Sequence, residues 1–234
     1  STSRGLGDVY KRQIDRNGKI LVEGWRNTQI PNSVRAAIAK LDVGEGENTP
    51  NINPNWGEPD LTIAERVFAS NTFEVRAFET GNPKSPANAI PPSAVVFGHL
   101  RYVVGTDISK LMPLLRAHLD KHGFNDITIT SERDMMPATR LDPDHPWAKW
   151  AIQSLSKTAD DEIAVVPNLG GSLPNDVFAD LLGLPTIWVP HSYGGCSQHA
   201  PNEHILESIS KSALRLMTGL WWDLGEGNTP RQIS

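Results

Sequence analysis

One cysteine, Cys196, in 234 residues excludes an internal disulfide framework and any zinc site built from several thiolates. Positive charge is not in excess either. The 22 Lys and Arg stand against 27 Asp and Glu, and a net charge of -5 gives no electrostatic reason for contact with phosphate backbones or anionic lipid. No apolar run reaches the ~18 residues of a membrane span. The expectation is a chain that binds neither nucleic acid nor membrane. Its expected compartment is the cytoplasm, although a single cysteine is equally compatible with the periplasm. There is no internal repeat and no low-complexity segment. What is present is ordinary globular material, 38% hydrophobic and 21% charged, enough for one large domain or two small ones.

The stretch from Ser1 to Gln13 (STSRGLGDVYKRQ) has no clear apolar period and resembles translated adapter sequence. It is set aside from the fold, and on that reading the natural protein continues upstream of Ile14. Residues 14–134 form a first domain of mixed texture. The Asn17-Gly18 turn signal precedes a short apolar run at Ile20–Val22, and Ser33–Leu41 has the spacing of a short helix. Residues 43–60 have the composition of a loop. Thr72–Phe78 alternates apolar and polar side chains, as a half-buried strand does, and Ala94–Val104 is a second strand. Ile108, Leu111, Leu115 and Leu119 then repeat at helical spacing across Asp107–His122. Gly123 is the stop, and Phe124–Thr130 alternates again. Strand, strand, helix, strand predicts a small α+β layer, an antiparallel sheet with helices on one face.

Residues 135–234 form the second domain. Leu141-Asp-Pro-Asp-His-Pro-Trp147 marks the boundary, with a helix starting near Asp144 and running to about Leu155. Strands are expected at Glu162–Val166 and Pro185–Val189, and helices at Pro174–Leu182 and Asn202–Trp222. The last has Ile205, Ile209, Ala213, Leu216 and Leu220 as its apolar stripe. Alternation of strands and helices points to a piece of α/β structure.

His199 lies in a loop between an expected buried strand and the last helix, the place where α/β sheets hold ligands. Its ordinary reading is a solvated or capping histidine. Its functional reading is one imidazole offered to a metal, and His191, Cys196 and His204 are nearby candidates with no better claim. Gly170-Gly-Ser172 ends the loop before the Pro174 helix. A glycine-rich turn of backbone N–H groups suits an anion, and it equally suits a plain strand-to-helix turn with Ser172 as cap. Arg101, at the end of an apolar strand, is either edge solvation or a fork for a carboxylate.

As a set, Asn88-Ala-Ile-Pro, Arg101, Gly170-Gly-Ser-Leu-Pro, Gly183-Leu-Pro185 and His199-Ala-Pro-Asn-Glu203 resemble metallopeptidase family twenty. This family includes carnosinases, aminoacylases and succinyl-diaminopimelate desuccinylase. Asp15–Gly24 also looks like the segment entering that family's lid domain, and Gly-Gly-Ser-Leu-Pro is closer to the carnosinase-like dipeptidase branch. The resemblance implies a dimerisation lid (14–134) followed by the C-terminal part of an α/β zinc-peptidase catalytic domain (135–234). It implies that His199 is the last metal ligand. It further implies that Gly171 and Ser172 hold the substrate carboxylate, that Arg101 reaches the same carboxylate, and that Asn88 contacts substrate in the neighbouring subunit's site.

The resemblance also implies what is missing. The family's His-x-Asp pair, bridging Asp, general-base Glu beside a Glu ligand, and lid histidine belong upstream of Ile14, so the chain supplies one ligand of a two-zinc site and no catalytic residue. The parent protein is expected to be a zinc-dependent, homodimeric hydrolase of short peptides, dipeptidase-like, and the chain alone to be inactive. The alternatives are a non-catalytic dimerisation and substrate-binding module, and an N-acyl-amino-acid amidohydrolase of the same family.

Overall fold

The computed structural model describes residues 7, 9, 11–27, 29–41, 43, 52–131, 135–171, 173–193, 195–227, 229 and 230. They group into two compact units. The first takes in the described residues of 1–30, 53–138 and 170–173, and the second those of 31–52, 139–169 and 174–234.

In the first unit the Asn17-Gly18 signal makes a tight turn. The Asp15 carboxylate accepts from the backbone N–H of Asn17 at 2.8 Å and of Lys19 at 3.0 Å, and an isolated antiparallel bridge joins Ile14 to Ile20. Gly18 has φ +83°, and a Cβ there would lie 2.9 Å from the Trp56 indole nitrogen, so both backbone and space require glycine. The chain then buries Ile20, Val22 and Trp25 with Phe73 and Leu111. A short helix α2, Ile63–Phe68, starts in a capping box. Thr62 Oγ1 accepts from Glu65 N, and the Glu65 carboxylate accepts from Thr62 N. The Thr62-x-x-Glu65 signature of that box is legible in the sequence itself.

Strands β1, Thr72–Thr80, and β2, Ala94–Arg101, pair antiparallel, with a bulge between Val75 and Ala77 that leaves Arg76 as the extra residue. Helix α3, Ile108–Lys121, has the caps its sequence signals. Asp107 accepts from Ser109 N at 3.1 Å, and Gly123 adopts φ +79° just past the end. Leu111 and Leu119 are its most buried apolar residues. Two polar groups tie the unit together. The Trp25 indole donates to Leu111 O at 3.0 Å, and buried Asn71 donates to Trp25 O at 2.7 Å while accepting from Val103 N at 2.8 Å.

In the first unit two readings of the sequence differ from this structure. Phe124–Thr130 is not a strand. Phe124, Ile127 and Ile129 pack beside Leu119, and the Arg116 guanidinium takes the carbonyls of Ile127 (2.6 Å) and Phe124 (2.7 Å). A period-2 pattern is thus buried without a ladder, its backbone acceptors filled by a side chain. The initial segment, set aside above, has helical backbone at its described residues 7, 9 and 11–13. Val9 packs against Leu119, and the His118 ring lies 2.8 Å from Arg12 O.

The second unit contains α1, Asn32–Ile38, α4, Pro146–Ser156, a single π-helical turn, Val177–Leu181, and α5, Glu207–Gly225. Pro146 opens α4 and the His145 ring accepts from Trp147 N at 3.2 Å, so the helix begins two residues after the expected start at Asp144. Helix α5 starts five residues later than expected, because Asn202 adopts φ +64° and His204 N donates to Cys196 O. Gly219 lets α5 approach the end of α4 closely: a Cβ there would lie 2.8 Å from the Thr158 methyl. Among the described residues the expected strands at Glu162–Val166 and Pro185–Val189 do not form and join no ladder. An apolar run becomes a strand only beside a pairing partner, and Val166 and Trp188 are 43% and 56% exposed.

Candidate functional site

Arg101 is the last residue of β2, opposite Thr72, and His99 stands opposite Glu74. Side chains alternate across a strand, so these four share one face of the hairpin, while Phe73, Val75 and Leu100 enter or flank the core on the other. Nη1 of Arg101 lies 3.3 Å from the point where Gly170 would carry a Cβ. The absence of a side chain at Gly170 therefore leaves room for the Arg101 guanidinium close beside it. A Cβ on Gly171 would meet nothing within 4 Å. Ser172 lies outside the described residues. Asn88 is exposed in the connection between β1 and β2. Arg101, Gly170 and Gly171 belong to one unit, although Gly170 is far from Arg101 in sequence.

Two basic residues near this point, Arg76 and His99, escaped the sequence reading. Arg76 occupies the bulge; partial desolvation lowers the His99 imidazole below the ordinary histidine range, and the charges of Arg101 and then Arg76 lower it further. Among the described residues the side chains of Arg76, His99 and Arg101 make no hydrogen bond or ion pair. The signal that could have found them is the register: His99 and Arg101 are separated by one residue of a strand.

His199 belongs to the second unit. It is exposed, with φ +61°, and its N–H donates to the Glu203 carboxylate at 3.2 Å. Ser197 and Asn202 are also left-handed, at φ +57° and +64°. Such backbone is uncommon outside glycine and persists only where the surroundings enforce it. Here Cys196 N donates to Tyr193 O, Ala200 N to Ser197 O and His204 N to Cys196 O. The His204 ring is fully engaged. Nδ1 lies 2.8 Å from the Asn202 carbonyl, which can only accept, so Nδ1 carries the proton and Nε2 accepts from the Tyr193 hydroxyl at 2.6 Å. Cys196 is buried, and an open cavity of about 310 Å³ is lined by His191, Ser192, Cys196, Gln198, Glu203 and His204.

Among the described residues no three His, Cys, Asp or Glu side chains converge as a metal site would require. By themselves the described donors do not complete a zinc site: His199 offers one imidazole, and His204 has both ring nitrogens committed.

No protein-family model and no curated protein matches the chain. Solved structures do. An M20 family metallo-carboxypeptidase, Sso-CP2 from Sulfolobus solfataricus, matches with TM-score 0.72 and 24% identity over 93% of this chain and 51% of its own. The di-peptidase Dug1p from Saccharomyces cerevisiae matches with TM-score 0.64 and 18% identity over 92% of this chain and 47% of its own. The chain spans about half the length of either structure, and what it shares with them is the fold, that of M20 peptidase domains.

Proposed function

We propose that this chain is part of a zinc-dependent metallopeptidase acting on short peptides with a free C-terminal carboxylate, in which Arg101 and the Gly171-Ser172 loop hold that carboxylate. The observation that carries the reading is the approach of Arg101 Nη1 to Gly170. A guanidinium beside open glycine backbone is suited to the two oxygens of a carboxylate, whereas a solvated edge arginine has no reason to lie there. The likeness in fold to two peptidases supports the reading. On this proposal His199 is one metal ligand, and the remaining ligands and the base lie in the half of the fold that this chain does not span. The lid pairs two copies through the hairpin edge and α3, and Asn88 reaches the partner's substrate. Sedimentation of the whole protein as a monomer at micromolar concentration would count against that pairing.

The test compares a dipeptide with its C-terminal amide by calorimetry on the purified chain. The free acid should bind more tightly, and Arg101→Lys should weaken it about tenfold to a hundredfold while leaving the amide unchanged. Equal binding of acid and amide to the unaltered chain would sink the assignment.

A further inference from the structure

We propose that Arg76, His99 and Arg101 form one anion cradle that selects peptides whose C-terminal residue carries a second carboxylate, glutamate above all. The inference rests on the proposed role of Arg101 and extends it to a substrate class. Arg101 and His99 share the exposed face of β2, and Arg76 projects from the bulge of β1 between the partners of Gly98 and Phe97. Two residue steps along β2, with Leu100 between, place His99 about 7 Å from Arg101. The α- and γ-carboxyl carbons of glutamate lie four bonds apart, on the order of 5 Å. One carboxylate on Arg101 beside Gly170 therefore leaves the second within reach of His99 and Arg76.

The charge of this face agrees. Glu74 stands opposite His99 and offsets part of it, so two guanidinium groups face one carboxylate when the imidazole is neutral, and protonation of His99 adds to the excess. None of these four side chains is tied up in a hydrogen bond or ion pair among the described residues. A structural role for the arginines would show a carboxylate or carbonyl partner, as Arg66 and Arg116 do elsewhere in the same unit. The neighbouring part of the face, Val95 and Phe97, is apolar and exposed, which leaves the cationic end distinct.

The experiment titrates the purified chain with Gly-Glu and with Gly-Gln, which have the same shape and differ in the second carboxylate. Gly-Glu should bind about fivefold more tightly, a difference that shrinks at high salt. Arg76→Gln and His99→Gln should each reduce the ratio toward one and leave Gly-Gln affinity unchanged, and Arg76→Lys should restore most of it. A ratio near one in the unaltered chain, or a ratio indifferent to both substitutions, overturns the cradle. If the ratio is near one yet Arg101→Lys still weakens both dipeptides, the cradle alone falls and the role of Arg101 stands. If Arg101→Lys affects neither, or neither dipeptide binds, both fall.

Discussion

The Tyr193 hydroxyl donates to Nε2 of His204 at 2.6 Å while Nδ1 of the same ring faces the Asn202 carbonyl at 2.8 Å. This pair closes the loop that displays His199 and sets the tautomer of His204. Tyr193→Phe keeps the ring and removes the donor, so Nε2 loses its partner. The cost should be about 0.5–1.5 kcal/mol or less, since the pair is exposed. Imidazole nitrogen shifts should show the Nδ1–H tautomer of His204 less strongly populated, and the loop amides should exchange faster. An unchanged tautomer in the variant would show that Asn202 alone sets it.

Two glycines of the first unit should respond to alanine in opposite ways. A Cβ on Gly98 would lie 2.5 Å from the buried Phe73 ring, so Gly98→Ala should destabilise by about 1–3 kcal/mol through overpacking. A Cβ on Gly170 would meet only the flexible end of Arg101 at 3.3 Å, so Gly170→Ala should leave Tm almost unchanged and weaken carboxylate binding. Melting curves and dipeptide titrations of both variants decide it. Equal losses of stability would remove the distinction.

Buried Asn71 bridges Trp25 O and Val103 N and also contacts Thr106 Oγ1. Asn71→Ala strands these groups away from water, and each unpaired group costs about 1–3 kcal/mol. Denaturant unfolding should show a loss of at least that size, with the midpoint lowered. A loss below about 0.5 kcal/mol would mean that water replaces the side chain.

The His99 imidazole is held below the ordinary histidine range by burial, then by Arg101 and Arg76. Its folded-state pKa is lowered, so between the two values the unfolded chain binds more protons. The site's contribution to stability is therefore present above the ordinary histidine pKa and is lost as pH falls through the lowered one. In a proton NMR titration the His99 midpoint should lie below that of a free histidine and rise in Arg76→Gln. It should rise further on adding Gly-Glu. A midpoint unmoved by Arg76→Gln would separate the two residues.

Purified chain with added zinc should not hydrolyse dipeptides, because the described residues place no three donors together. Any turnover that a chelator abolishes would refute this.

Features that depend on neighbouring residues were legible in the sequence: the Asn17-Gly18 turn, the caps of α3, the Pro146 start of α4 and the two strands of the hairpin. Each rests on hydrogen bonds or sterics within a few residues, which the local residue types decide. Arg101 and the Gly170 loop could be picked out as separate motifs, but their meeting depends on a chain reversal that no local pattern encodes. The bulge that adds Arg76 to His99 is a matter of register, and both tautomer and availability of His204 follow from Tyr193 and Asn202 folding back on it. The alternating runs at 124–130, 162–166 and 185–189 make the same point in reverse. Alternation states which side chains prefer burial, whereas a strand requires another backbone to accept its hydrogen bonds, and only the tertiary structure decides whether one is there.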